Sequence, residues 1–191
     1  SSNKNNDDHT PLTLASEDGH YDVVELLLER GAAVNMRRRG DCDIAQDCFT
    51  PLMCASLRGH ADVVELLLKN NADTEIYGKP LGDEGINEYQ NEEDNNAMTA
   101  LMYASAIGHD AVVKLLLEYD AKVDAVDEKH KTALMWACSW DTNYDGKRAT
   151  VKLLLDHGAE IEKVDNGGQT ALILASDGGY RPVVKLLLNH G

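Results

Sequence analysis

The stretch DVVELLLER, Asp22 to Arg30, places apolar residues at i, i+1, i+3, i+4 and i+5. On a helix that stripe is wider than contact with one neighbour requires, so the element must be covered on two sides. Its length of about eight to ten residues is below the roughly 12 to 15 at which an isolated helix persists in water, so its stability has to come from stacking. The same signature recurs along the chain. Five segments end in three leucines: Leu26–Leu28, Leu66–Leu68, Leu115–Leu117, Leu153–Leu155 and Leu186–Leu188. Each follows a similar opening: TPLTLAS at Thr10, TPLMCAS at Thr50, TALMYAS at Thr99, TALMWAC at Thr132 and TALILAS at Thr170. The threonines are 40, 49, 33 and 38 residues apart, which reads as a unit of about 33 residues carrying insertions. Gly31, Asn71, Asp120 and Gly158 follow the second helix of their units, where a left-handed residue is wanted. Pro182 sits near the start of a second helix, where a missing N–H costs little.

This pattern resembles the ankyrin repeat, whose consensus runs Thr-Pro-Leu-His, two small residues, Gly-His, Val-Val, three leucines and Gly-Ala-Asp-Val-Asn. GHYDVVELLLERGAAVN (Gly19 to Asn35) and GHADVVELLLKNNAD (Gly59 to Asp73) carry the likeness most fully. The resemblance implies an all-α solenoid of five helix-turn-helix repeats joined by β-hairpin-like loops. Residues 1–191 then form one domain, with repeats at 8–35, 48–76, 97–129, 130–167 and 168–191 and insertions at 36–47, 77–96 and 140–148. The helical His of the family is absent, replaced by Thr13, Met53, Met102, Met135 and Ile173, which puts its usual polar tie between repeats in question. The last repeat ends at LLLNHG without a polar capping helix; because uncapped ends expose leucine-rich faces, a fragment of a longer array is expected.

Composition narrows the class. Apolar residues make up 43% of the chain, enough for a soluble core, and no window approaches the roughly 18 apolar residues of a spanning helix. Residues Ser1 to Asp8 lack an apolar signal stretch. Cys42, Cys48, Cys54 and Cys138 show no zinc spacing and read as reduced thiols, so a cytoplasmic protein is expected, a nuclear one being compatible. Lys and Arg number 18 against 33 Asp and Glu, a net charge of −15. That charge repels phosphate backbones and favours a protein or peptide partner, a basic one included, over nucleic acid. No membrane and no small-molecule substrate are expected, and the chain is read as a monomer.

The candidate surface follows from helical geometry. Counting from the threonine, positions 3, 6, 7 and 10 cluster on one side of the first helix and pack. Positions 5 and 9 lie roughly opposite, one turn apart; in the family they line the concave groove. Trp136 is position 5 and Trp140 position 9, so both are read as facing that groove at least in part. The corresponding residues elsewhere are Leu14, Cys54, Tyr103 and Leu174 at position 5, and Asp18, Arg58, Ile107 and Gly178 at position 9. Position 8 adds Glu17, Leu57, Ala106, Ser139 and Asp177. The middle of the groove is therefore apolar and aromatic with acidic ends, a composition suited to aromatic anchors inside a polar border. Leu57, Arg58, Tyr103, Ile107, Trp136, Trp140 and Asp141 are the expected partner-binding residues. The plainer alternative makes Trp136 half-buried filler capped by Trp140 or the adjoining loop. The resemblance brings two further readings: a methyl-lysine reader using Tyr103, Trp136 and Trp140 with Asp141 or the acidic insertion, and hydroxylation by an asparaginyl hydroxylase at Asn35 of GAAVN.

The insertions add little chemistry. Arg37, Arg38 and Arg39 are read as the only basic cluster of an acidic chain, at a hairpin tip that is solvated or meets a specific acidic or phosphate partner. Gly82 to Asn96 holds Asp83, Glu84, Glu88, Glu92, Glu93 and Asp94 and no base, a composition expected of a mobile acidic loop that draws a basic ligand or merely links. DTNYDG, Asp141 to Gly146, opens like a calcium loop, but Lys152 stands where a bidentate Glu is required, so it reads as a turn and no metal is expected. His20, His60 and His109 fill the Gly-His slot, His157 and His190 suit a helix C-terminus, and His9 and His130 precede threonines. No nucleophile motif or phosphate loop accompanies them, so no catalytic residue and no cofactor are expected.

Overall fold

The computed structural model describes residues 10–36, 49–79, 96–139 and 146–191. Within them the chain forms ten helices in five antiparallel pairs. They are α1 (Pro11–Glu17) with α2 (Tyr21–Glu29), α3 (Pro51–Arg58) with α4 (Ala61–Lys69), α5 (Ala100–Ile107) with α6 (Asp110–Glu118), α7 (Ala133–Cys138) with α8 (Gly146–Asp156), and α9 (Ala171–Asp177) with α10 (Arg181–His190). Odd-numbered helices stack on one another in one layer and even-numbered helices in a second. Among the described residues the sole strand-like pairing is an antiparallel bridge between Gly78 and Met98.

Each odd helix starts where its threonine says it should. The hydroxyls of Thr10, Thr50, Thr99, Thr132 and Thr170 accept from the N–H three residues on, at 3.1, 3.2, 3.4, 3.3 and 3.3 Å, which satisfies one of the orphan donors of the first turn. The even helices stop at Gly31, Asn71, Asp120 and Gly158, all at positive φ as their spacing predicts. The side chains of His157 and His190 bond the last carbonyls, those of Leu153 and Leu186, at 2.8 and 2.9 Å.

The core lies between repeats. Ala55, Ala104 and Ala137 are buried where odd helices meet, and Val63, Val64, Leu67, Val112, Val113 and Leu116 fill the space between the two layers. Met53, Met102 and Met135, which replace the family's helical His, are fully buried. The inter-repeat polar tie is supplied instead from the Gly-His slot. His60 Nε2 bonds the Glu17 carbonyl at 2.9 Å and His109 Nε2 bonds the Leu57 carbonyl at 3.0 Å. Gly19 and Gly59 make room for these rings: a Cβ at either would come within 2.6 to 2.7 Å of the histidine of the next repeat. Burial lowers the His109 pKa and favours the neutral ring.

Candidate binding surface

The loops between repeats form arms alongside the odd helices. At the arm before α7, Asp127 N–H donates to the Lys131 carbonyl at 3.1 Å, and the Asp127 carboxylate accepts from the N–H groups of Lys129 and Lys131 at 2.9 and 2.8 Å. The arm before α9 repeats the device: Asp165 accepts from Gly167 and Gln169 at 2.8 and 2.9 Å. The two arms are joined, since Asn166 donates to the carbonyls of Lys129 and Glu128. A second ladder runs nearer the even helices. Side-chain oxygens of Asn35, Glu75 and Asp124 accept from the N–H groups of Asp73, Lys122 and Glu160 at 2.9, 3.0 and 3.1 Å. These positions are equivalent in successive repeats, so one bond per repeat fixes each arm to the next.

The arms cover two of the residues expected to face a partner, Tyr103 and Trp136. Trp136 is 0% exposed and Tyr103 1%, so the reading of both as ligand-facing aromatics is corrected. Trp136 Nε1 donates to Asp127 Oδ2 at 3.0 Å, and the Lys131 ammonium lies 4.7 Å from its ring centroid. The Tyr103 hydroxyl donates to the Gly78 carbonyl at 2.8 Å, and the ring meets Phe49 edge-on at 4.9 Å. Both rings therefore anchor an arm to a helix, a use that suits an apolar body with one polar handle. Burial pushes the Tyr103 hydroxyl well above the ordinary phenol range. It also raises the Asp127 carboxyl, against which the arm's N–H groups and the Trp136 indole work.

Leu57 is also buried. Arg58 reaches the surface and pairs with Glu17 at 2.7 Å, and Ile107 of the next repeat is half-buried. Trp140 and Asp141 lie outside the described residues, as do Arg37 to Arg39, the acidic residues Asp83 to Asp94 and most of the turn before Gly146. The arm residues Lys79, Glu128 and Lys129 were not anticipated; Lys79 and Glu128 pair at 3.3 Å across two arms. The signal for them was an Asp five residues before a threonine, present as Asp127 and Asp165.

Five helix pairs tied by repeating side-chain ladders agree with comparison to known families: a family model described as ankyrin repeats (3 copies) matches residues 1–77, 81–165 and 143–191. The chain belongs to the ankyrin-repeat family. Ankyrin repeats are in general protein–protein interaction modules, not enzymes. No curated protein sequence matches the chain. Among its described residues no helix is long and apolar enough to cross a membrane.

Proposed function

We propose that this ankyrin-repeat chain is a non-enzymatic, cytoplasmic interaction module that takes up a protein or peptide on its concave face, centred on repeats two to four. The observation that carries the reading is the fixing of the arms. Asn35, Glu75 and Asp124 tie each arm to the next, and Tyr103 and Trp136 tie arms to helices. A surface set in advance loses little ordering entropy on association, so few contacts suffice for specific binding. Arg58 and Ile107 stand on its accessible rim in adjacent repeats, and Trp140 and Asp141 of repeat four are proposed as further partner contacts. The methyl-lysine reading loses support, because Trp136 is buried and a cation of this chain, Lys131, already lies over its ring. Asn35 hydroxylation is secondary: its side-chain oxygen is engaged by Asp73.

Affinity capture from a lysate of the source cell tests the proposal. The wild-type chain is compared with Arg58→Glu, Ile107→Asn and with Trp140→Ala, each checked for unchanged helical content. Loss of one specific captured protein in the rim variants, with folding intact, is expected. Retention of every captured protein by all the variants would remove the concave rim as the binding face.

A further inference from the structure

The even-numbered helices change sign along the stack. α2 and α4 carry Asp22 and Asp62 in the first turn with Glu25 and Glu65 beyond, and α6 opens with Asp110. α8 and α10 carry Arg148 and Arg181 in the first turn, where α6 has Asp110, and Lys152 and Lys185 where α2 and α4 have Glu25 and Glu65; Asp156 is the sole carboxylate on either helix. An acid in the first turn suits the positive end of the helix dipole and a cation opposes it. Three repeats follow that rule and the last two break it. Local rules broken without a compensating contact are most often found at functional sites.

Among the described residues no compensating contact is present. Arg58, Lys69, Lys79, Lys114, Lys122 and Lys163 each lie within 4.0 Å of a carboxylate. Arg148, Arg181 and Lys185 are exposed, and none of them pairs with a carboxylate among the described residues. Together with Pro182, Leu186 and Asn189 they line a groove of about 360 Å³ between α8 and α10. In a chain of net charge −15 this groove is a local reversal of sign.

We propose that the groove between α8 and α10 binds an acidic peptide segment of a partner protein, one that places two or three carboxylates beside an apolar side chain. Arg148 and Arg181 offer planar forks that match carboxylates bidentately, and Lys185 offers a point charge. Pro182 and Leu186 receive the apolar side chain. The groove volume suits the side chains of a short segment rather than a folded domain. Nucleic acid and anionic membranes bring extended charge against the whole chain and are repelled, whereas a short segment feels the groove within a screening length of about 8 to 10 Å. The site lies on the even-helix layer and stands independently of the concave-face reading.

Fluorescence anisotropy of a labelled nonapeptide, Gly-Glu-Glu-Leu-Glu-Glu-Leu-Glu-Gly, titrated with the chain at low salt, tests the proposal. Saturable binding is expected, weakened at least about tenfold by Arg181→Glu with Lys185→Glu and unchanged by Lys69→Glu on α4. The milder pair Arg181→Gln, Lys185→Gln is expected to weaken binding in the same direction with an unaltered thermal transition. Absence of saturable binding, equal binding by the charge-reversed chain, or equal binding of a peptide with Lys in place of Glu would overturn it. A dimer seen by sedimentation without peptide binding, and dissolved by the same substitutions, would also overturn it by giving the groove to a second copy.

Discussion

Met102 and Ile173 stand at the same place in the third and fifth repeats, three residues after the threonine that caps the helix. Their helices begin alike, with the N–H of each residue bonded to its threonine at 3.4 and 3.3 Å. Their fates differ: Met102 is 0% exposed and Ile173 46%. Leu117 and Leu188 show the same contrast in the even layer, at 7% and 64%. α5 of the third repeat lies between α3 and α7, whereas α9 has α7 as its one neighbour among the described odd-numbered helices. Helix formation is thus settled inside a repeat by the cap, and burial is settled between repeats by the neighbours, as expected of a structure held by nearest-neighbour interfaces.

The largest effect that sharpens this contrast is expected at Trp136. Trp136→Ala removes a fully buried ring and its bond to Asp127 and should lower unfolding free energy by about 3–5 kcal/mol in urea titration. Met102→Ala should cost ~2–5 kcal/mol and Ile173→Ala under about 1 kcal/mol; equal losses at the two would break the comparison. Glycines separate in the same way. Gly158→Ala is strained by its positive φ of 84° and meets nothing within 4 Å, so about 1–2 kcal/mol is expected. Gly59→Ala, with a φ of 79° and the His109 ring at 2.7 Å, should cost more.

Alkali should act on the buried centre of the stack. Burial pushes the Cys138 thiol from its ordinary 9.0 up to about 12 and raises the Tyr103 hydroxyl well above its ordinary 10.0. The folded chain keeps these protons where the unfolded chain releases them. Their contribution is therefore full below about pH 9 and is lost as pH rises from there toward 12. Thermal unfolding across that window should show the decline, and Tyr103→Phe should make it shallower. The smallest effect belongs to the exposed rim: Arg58→Ala removes a surface ion pair with Glu17 and should change stability by about 0–1 kcal/mol.

The solenoid was legible because its determinants are local. Threonine caps, leucine triplets and the left-handed residues Asn71 and Asp120 can be read one repeat at a time. The surface was less so. Helical geometry does place Trp136 and Tyr103 on the side of the odd helices that faces the arms, but it does not show that the arms lie on them. That depends on the path of the loops, which is set by Asp127 gathering N–H groups from Lys129 and Lys131 and by the Tyr103 hydroxyl reaching Gly78. The groove between α8 and α10 was missed for a related reason. The charges of Arg148, Arg181 and Lys185 were counted within an acidic whole, and only stacking of the two helices brings them together.

The central claim is that the aromatic residues of the middle repeats hold arms to helices instead of facing a partner. Acrylamide quenching of Trp136 fluorescence in a Trp140→Phe chain tests it most directly, since Trp136 is then the sole indole. A blue-shifted emission with quenching far below that of the urea-unfolded chain is expected. Red-shifted emission, quenched as readily folded as unfolded, would contradict burial of Trp136 and return its ring to the open groove.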